Sequence, residues 1–228
     1  RPLVLLHGGL LTIDLTFGSM IPSLAKDYQV IAVELQGHGH TADIDREFSL
    51  DALADDVVKL LDHLGIEQAD FFGFSLGGMV ALALVLARPD RVGRLVLAST
   101  HYRNDGYHPE IFDPAQTSPR LPTQADFQAM QDAYNQVAPD PAHFEAFMNK
   151  ASNMVGSFPG WDAERLRAIT APTLLIVGDT DFVRLDHAVE MFDLIANAHL
   201  AVLPSTTHMG VMGRPDVVLP MVEPFLRD

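Results

Sequence analysis

The chain has 228 residues, is 48% hydrophobic, and carries 15 Lys plus Arg against 30 Asp plus Glu, a formal net charge of -15. That hydrophobic share suits one folded domain and excludes a disordered chain, and the acidic balance argues against nucleic acid or an anionic membrane as partner. The absence of cysteine excludes disulfides, thiol catalysis and thiolate metal sites. No apolar run approaches the roughly 20 residues of a membrane-spanning helix, so a cytoplasmic protein is expected.

Short apolar runs recur along the chain: LVLL (3–6), QVIAVE (29–34), DFFGF (70–74), RLVLA (94–98), TLLIV (173–177) and HLAVL (199–203). Most are continuously apolar, the pattern of strands covered on both faces in a parallel sheet. Between them lie helical patterns. Residues 50–64 bring Leu50, Leu53, Ala54, Val57, Leu60, Leu61 and Leu64 to one face, with Ser49 as N-cap and Gly65 as stop. Residues 76–88 are apolar on nearly every side, which predicts a buried helix. Two further helices are predicted over 188–198 and near 215–227. Alternation of this kind reads as an α/β fold with a mostly parallel, doubly wound sheet. Residues 101–161 break the alternation. An irregular stretch rich in Pro, Asp and Asn leads to helical patterns at about 124–137 and 142–155, and we read this insertion as a short helical lid within a single domain.

The stretch GFSLGG (73–78) sits between a predicted strand and a predicted helix. A serine hydroxyl is a weak nucleophile without a base, and it needs a sharp turn that exposes it. Gly73-Phe74-Ser75-Leu76-Gly77 meets that need: glycines permit close approach of strand and helix, and free N–H groups at the helix start favour developing negative charge. Ser75 is therefore the candidate nucleophile. His208, in the loop after the last predicted strand, is the candidate base, placed better than His7, His63, His108, His143, His187 or His199. The acid that orients it falls between them. Asp181, in the Gly-x-x-Asp turn of VGDTD, is preferred, with Asp179 and then Asp105 as alternatives. Leu76 N–H and Gly9 N–H, from the HGGL loop, are candidate oxyanion donors.

With LVLLHGG, AVELQGHGHT, FFGFSLGG, LLIVGDTDFV and TTHMG in this order, the chain resembles the α/β-hydrolase family throughout, apart from the insertion. The resemblance implies a catalytic triad at Ser75, Asp181 and His208, an oxyanion hole at Gly9 and Leu76, and strands upstream of residue 1. Glu34-Leu35-Gln36-Gly37 departs from the family's Asp-x-Arg-Gly turn and forfeits an ion pair there. A serine in the nucleophile position points to a hydrolase of carboxylic esters or lactones, acyl homoserine lactones included, that needs no metal or cofactor. C–C bond hydrolysis, perhydrolysis and a receptor that only binds are the rival readings. His38-Gly39-His40 with Asp43 faintly suggests a metal site. Tyr102, Met130, Phe144, Met148, Trp161, Phe182 and Met209 are the candidate substrate contacts, and their apolar character suits a neutral acyl group.

Overall fold

The computed structural model describes residues 2–113 and 117–227. Six strands, β1 (Pro2–Leu6), β2 (Gln29–Val33), β3 (Ala69–Phe74), β4 (Val92–Ala98), β5 (Thr173–Thr180) and β6 (Ala198–Thr207), form one sheet. Its order is β2-β1-β3-β4-β5-β6, and every pairing is parallel. The sheet is thus wholly parallel among the described residues, rather than mostly so.

The continuous apolar runs have a simple cause. Successive side chains of a strand face opposite sides, and here both sides are covered. Val4, Leu6, Phe71, Leu95 and Leu97 face one core layer with helices α3 (Leu50–His63) and α4 (Leu76–Ala87). Leu3, Leu5, Phe72, Phe74 and Val96 face the other, with α1 (Ile13–Phe17) and α10 (Pro215–Arg227). In α4, every residue from Leu76 to Val85 is buried. That is why its sequence shows no polar face.

The remaining helices are α2 (Ile21–Leu24), α5 (Gln124–Val137), α6 (Phe144–Ser157), α7 (Ala163–Arg167), α8 (Leu185–Leu194) and α9 (His208–Met212). Several boundaries differ from the sequence reading. Strand β5 runs to Thr180 and β6 to Thr207, past the expected 177 and 203, so His208 follows β6 directly instead of lying in a loop. Helix α6 starts two residues late, because Asp140 caps a 3-10 turn at Pro141–His143 first. Helix α8 spans Leu185–Leu194 rather than 188–198, since the Asn197 carbonyl is drawn to Thr173 N–H at the start of β5. The short helices α1, α2, α7 and α9 lie below the length that periodicity detects.

Between β4 and β5 the described chain adds no strand to the sheet. It contributes 3-10 turns, α5, α6 and α7. Thr123 and Asp126 form a capping box that starts α5. Asp43, in the loop after β2, holds α6 through Lys150 Nζ at 2.8 Å and His143 Nε2 at 3.0 Å. Among the described residues, no helix is long and apolar enough to cross a membrane.

Candidate active site

Ser75 stands between β3 and α4 with φ 51° and ψ -115°, a conformation disfavoured for a residue with a side chain. Its N–H donates to Ala98 O across the sheet, at 2.9 Å. The neighbouring glycines are there because nothing larger fits. A Cβ on Gly73 would lie 2.5 Å from Gly77 O, and one on Gly77 would lie 2.0 Å from Leu6 O. The pattern Gly-x-Ser-x-Gly is thus a packing solution that brings the start of α4 against β1.

His208 opens α9, which Thr207 caps by accepting from Gly210 N–H. The imidazole is 3% exposed, and its Nδ1 donates to Asp181 Oδ1 at 2.8 Å. Whenever the ring carries no second proton, Nε2 is left as the acceptor. Phe182 stacks on the ring at 3.7 Å between centroids, and Phe74 lies at 4.9 Å. Asp181 follows the Gly178 turn, with its N–H on Gly178 O. Burial pushes its carboxyl up. The charge and hydrogen bond of His208, the Ser99 hydroxyl and Val183 N–H outweigh burial and hold it below the ordinary carboxylate value. Asp179 points elsewhere, accepting from Thr206 N–H and Thr180 Oγ1. Asp105 pairs with Arg103 at 2.9 Å.

Ser75, Leu76, Gly9 and His208 border one cavity of about 160 Å³, together with Met130, Phe182 and Met209 of the expected contacts. The other four do not reach it. Tyr102 is fully buried and stacked on His187 at 4.7 Å. Phe144 packs on Tyr134 at 5.1 Å, inside the junction of α5 and α6. Met148 faces a groove between those two helices, and Trp161 packs edge-on against Phe158 beside α3. Helical spacing marked Phe144 and Met148 as apolar and inward, without saying what they face; Tyr102 and Trp161 lay outside any helical pattern. Conversely, Leu10, Leu11, Met79, Tyr107, Phe127 and Val155 border the cavity and were missed. Phe127 had a legible signal: it lies three residues before Met130, on one helical face.

The Gly9 loop is held by two histidines that cross-link it to the loop after β2. His7 Nε2 accepts from Leu35 N–H at 3.1 Å, and His38 Nε2 accepts from Leu10 N–H at 3.3 Å. Their Nδ1 atoms face Gly8 O and Gln36 O. Burial lowers His7 to about 4 and holds His38 well below its ordinary value, so both stay neutral and able to accept. The metal reading of His38, His40 and Asp43 finds no support in this geometry: His40 Nδ1 pairs with Glu34, and Asp43 with Lys150 and His143. Among the described residues, no three His, Asp or Glu side chains gather as metal donors. Gln36, the departure from the family pattern, donates to Asp43 and accepts from Arg46, which in turn pairs with Asp56 at 2.5 Å. A guanidinium ten residues on thus lies against this turn, its ion pair made with Asp56 of α3.

Known proteins are similar to this chain in sequence and fold. Esterase YbfF of Escherichia coli (strain K12) is 26% identical over all of this chain and 93% of its own length. A 2-hydroxymuconate semialdehyde hydrolase of Pseudomonas sp. (strain CF600) is 41% identical over 99 residues, which is 42% of this chain and 35% of that protein. The solved structure of Est816, described as an N-acyl homoserine lactone degrading enzyme, superposes with a TM-score of 0.79 at 25% identity, covering 98% of this chain and 92% of that one. The family model of the alpha/beta hydrolase fold matches residues 1–173. With the parallel sheet and the strand–turn–helix that presents Ser75, this match makes the chain a member of the alpha/beta hydrolase fold family.

Proposed function

We propose that the chain is a serine hydrolase of neutral carboxylic esters or lactones. The observation that carries this reading is that Ser75 and the His208–Asp181 pair meet at one mostly apolar cavity. In this reading His208 Nε2 takes the Ser75 proton as Oγ attacks the ester carbonyl. The Gly9 and Leu76 N–H groups hold the oxyanion, each donor worth about 2.7 to 4 kcal/mol in barrier height. Asp181 stabilises the imidazolium, which then protonates the leaving alkoxide. Water activated by the same base clears the acyl group from Ser75. In a lactone the freed alcohol remains part of the acyl group, and the two leave together as one hydroxy acid in that step. The chemistry requires no metal or organic cofactor. The segment from 101 to 161 serves as a lid, since Phe127, Met130 and Val155 wall the cavity.

Charge favours esters and lactones over the C–C bond chemistry of a relative that acts on a muconate semialdehyde. Such a substrate carries a carboxylate, and burying one without a cationic partner is costly. Among the described residues, no Lys or Arg borders this cavity. The resemblances to an esterase and to a lactone-degrading enzyme point the same way. The test is hydrolysis of p-nitrophenyl acyl esters, N-acyl homoserine lactones and a 2-hydroxymuconate semialdehyde by wild type and Ser75→Ala. Turnover of the neutral substrates, lost in the variant and kept with chelator, is expected. Ester turnover kept by Ser75→Ala would overturn the reading, and preference for the semialdehyde would move the chemistry to C–C cleavage.

A further inference from the structure

The two carboxylate oxygens of Asp181 are held differently. Oδ1 accepts from His208 Nδ1 and from Val183 N–H at 2.9 Å. Oδ2 accepts from Ser99 Oγ at 2.5 Å, a contact between residues 82 apart in sequence. Both side chains belong to residues that are 1% exposed, so water does not stand in for this bond. Ser99 directly follows β4, and its N–H donates to Ile176 O of β5 at 2.7 Å. Its φ is 51°, a left-handed value that glycine adopts far more readily than serine. The next hydroxyl, Thr100 Oγ1, turns back to Ala98 O and leaves Asp181 to Ser99.

We propose that Ser99 is a positioning residue of this site, its hydroxyl holding Asp181 Oδ2 so that Oδ1 stays turned to His208. The proposal rests on the hydrolase reading for its kinetic consequence, though not for its geometry. A buried carboxylate that loses one of its donors binds a proton more readily. The other groups facing the pair are few. Tyr107 lies close enough to Asp181 for each charge to disfavour the other, and His101 lies within electrostatic reach of His208. Arg120 Nη1, from the segment before α5, donates to the backbone carbonyl of Asp181 at 3.3 Å. Asp179 lies two residues back on β5. None of these donates to Oδ2 in the described structure, so removing the Ser99 hydroxyl leaves that oxygen without its donor.

Ser99→Ala and Ser99→Gly separate the hydroxyl from the backbone. Both remove the hydroxyl, and glycine also relieves the left-handed φ. The acid limb of kcat/KM against pH, on whichever ester wild type hydrolyses, is expected to move up by about half to one pH unit in both variants. Activity at pH 6 then falls roughly threefold to tenfold, with most of it recovered by pH 8. Proton NMR of the imidazole Nδ1–H and ring protons reads the same shift in the His208–Asp181 pair without any turnover. Wild-type positions of both the acid limb and the NMR midpoint in folded Ser99→Gly would overturn the proposal and leave Ser99 a backbone element only. If Ser75→Ala kept full turnover, the hydrolase reading would fall, and the NMR titration would still decide for or against Ser99.

Discussion

Leu10, Ser75, Ser99 and Ser205 are the described non-glycine residues with left-handed φ, and the first three touch the candidate site. Each costs about 1 to 2 kcal/mol relative to a relaxed backbone. Leu10 gives its N–H to His38, Ser75 presents the hydroxyl, and Ser99 holds Asp181. Strain of this kind persists only where surrounding structure over-determines it. The glycines beside Ser75 show how firmly. Gly77→Ala would press its Cβ to 2.0 Å from Leu6 O, in a central strand that cannot retreat. A loss of about 3 kcal/mol or more, or failure to fold, is expected. Gly9→Ala meets only the Leu76 side chain, at 3.7 Å. It is expected to keep stability to within about 0.5 kcal/mol. Urea denaturation of the two variants checks the contrast, and a Gly77→Ala protein as stable as wild type would refute this account of the turn.

At the scale of elements, α5 and α6 use their two faces differently. Phe144, Phe147 and Tyr134 pack among themselves, and Phe147 also meets His38 edge-on at 4.6 Å. Met130 and Phe127 turn to the cavity. The sequence revealed both helices but not which face met which partner, because periodicity records burial and not the identity of the covering surface. Hence Phe144 and Met148 were assigned to substrate while Phe127 was passed over. Shortening Met130 distinguishes the faces. Met130→Ala opens the cavity wall and is expected to raise preference for acyl chains two carbons longer by roughly tenfold, at about 0.8 kcal/mol per CH₂. It also costs about 2 to 5 kcal/mol of stability, since Met130 is only 4% exposed within the core. Phe144→Ala, which alters only the helix–helix junction, should leave the chain-length ratio unchanged. Competition between butanoyl and hexanoyl esters reads both, and a ratio that moved with Phe144 but not Met130 would place the acyl group elsewhere.

At the scale of the whole molecule, the parallel sheet was legible because covering both faces makes every strand residue apolar. Ser75 and His208 were legible because each sits where a strand ends in a distinctive turn. Ser99 and His38 were not, since their partners lie 82 and 28 residues away and nothing local marks them. Several such hidden groups are buried histidines, and together they set how the fold responds to acid. Burial lowers His7 and His187 to about 4 and His101 to about 3, and holds His38 well below its ordinary value. In the unfolded chain each takes a proton near pH 6.5; in the folded chain it refuses one. The unfolded state therefore binds more protons, and stability present above pH 6.5 is lost as pH falls toward 4. Four such groups give a limiting slope of about 5 kcal/mol per pH unit. Neutralising the acidic surface relieves the repulsion behind the net charge of -15, but carboxylates titrate near pH 4, below most of this window. His101 offers the cleanest test. Its ring packs on Tyr107 at 3.9 Å between centroids, and neither nitrogen has a hydrogen-bond partner among the described residues. Phenylalanine in its place keeps the ring contact and removes one titrating group. Urea midpoints measured from pH 8 to pH 5 should fall steeply in wild type and about a quarter less steeply in His101→Phe, which becomes the more stable protein at pH 5. Equal slopes would mean that His101 takes up its proton in the folded chain as readily as in the unfolded one.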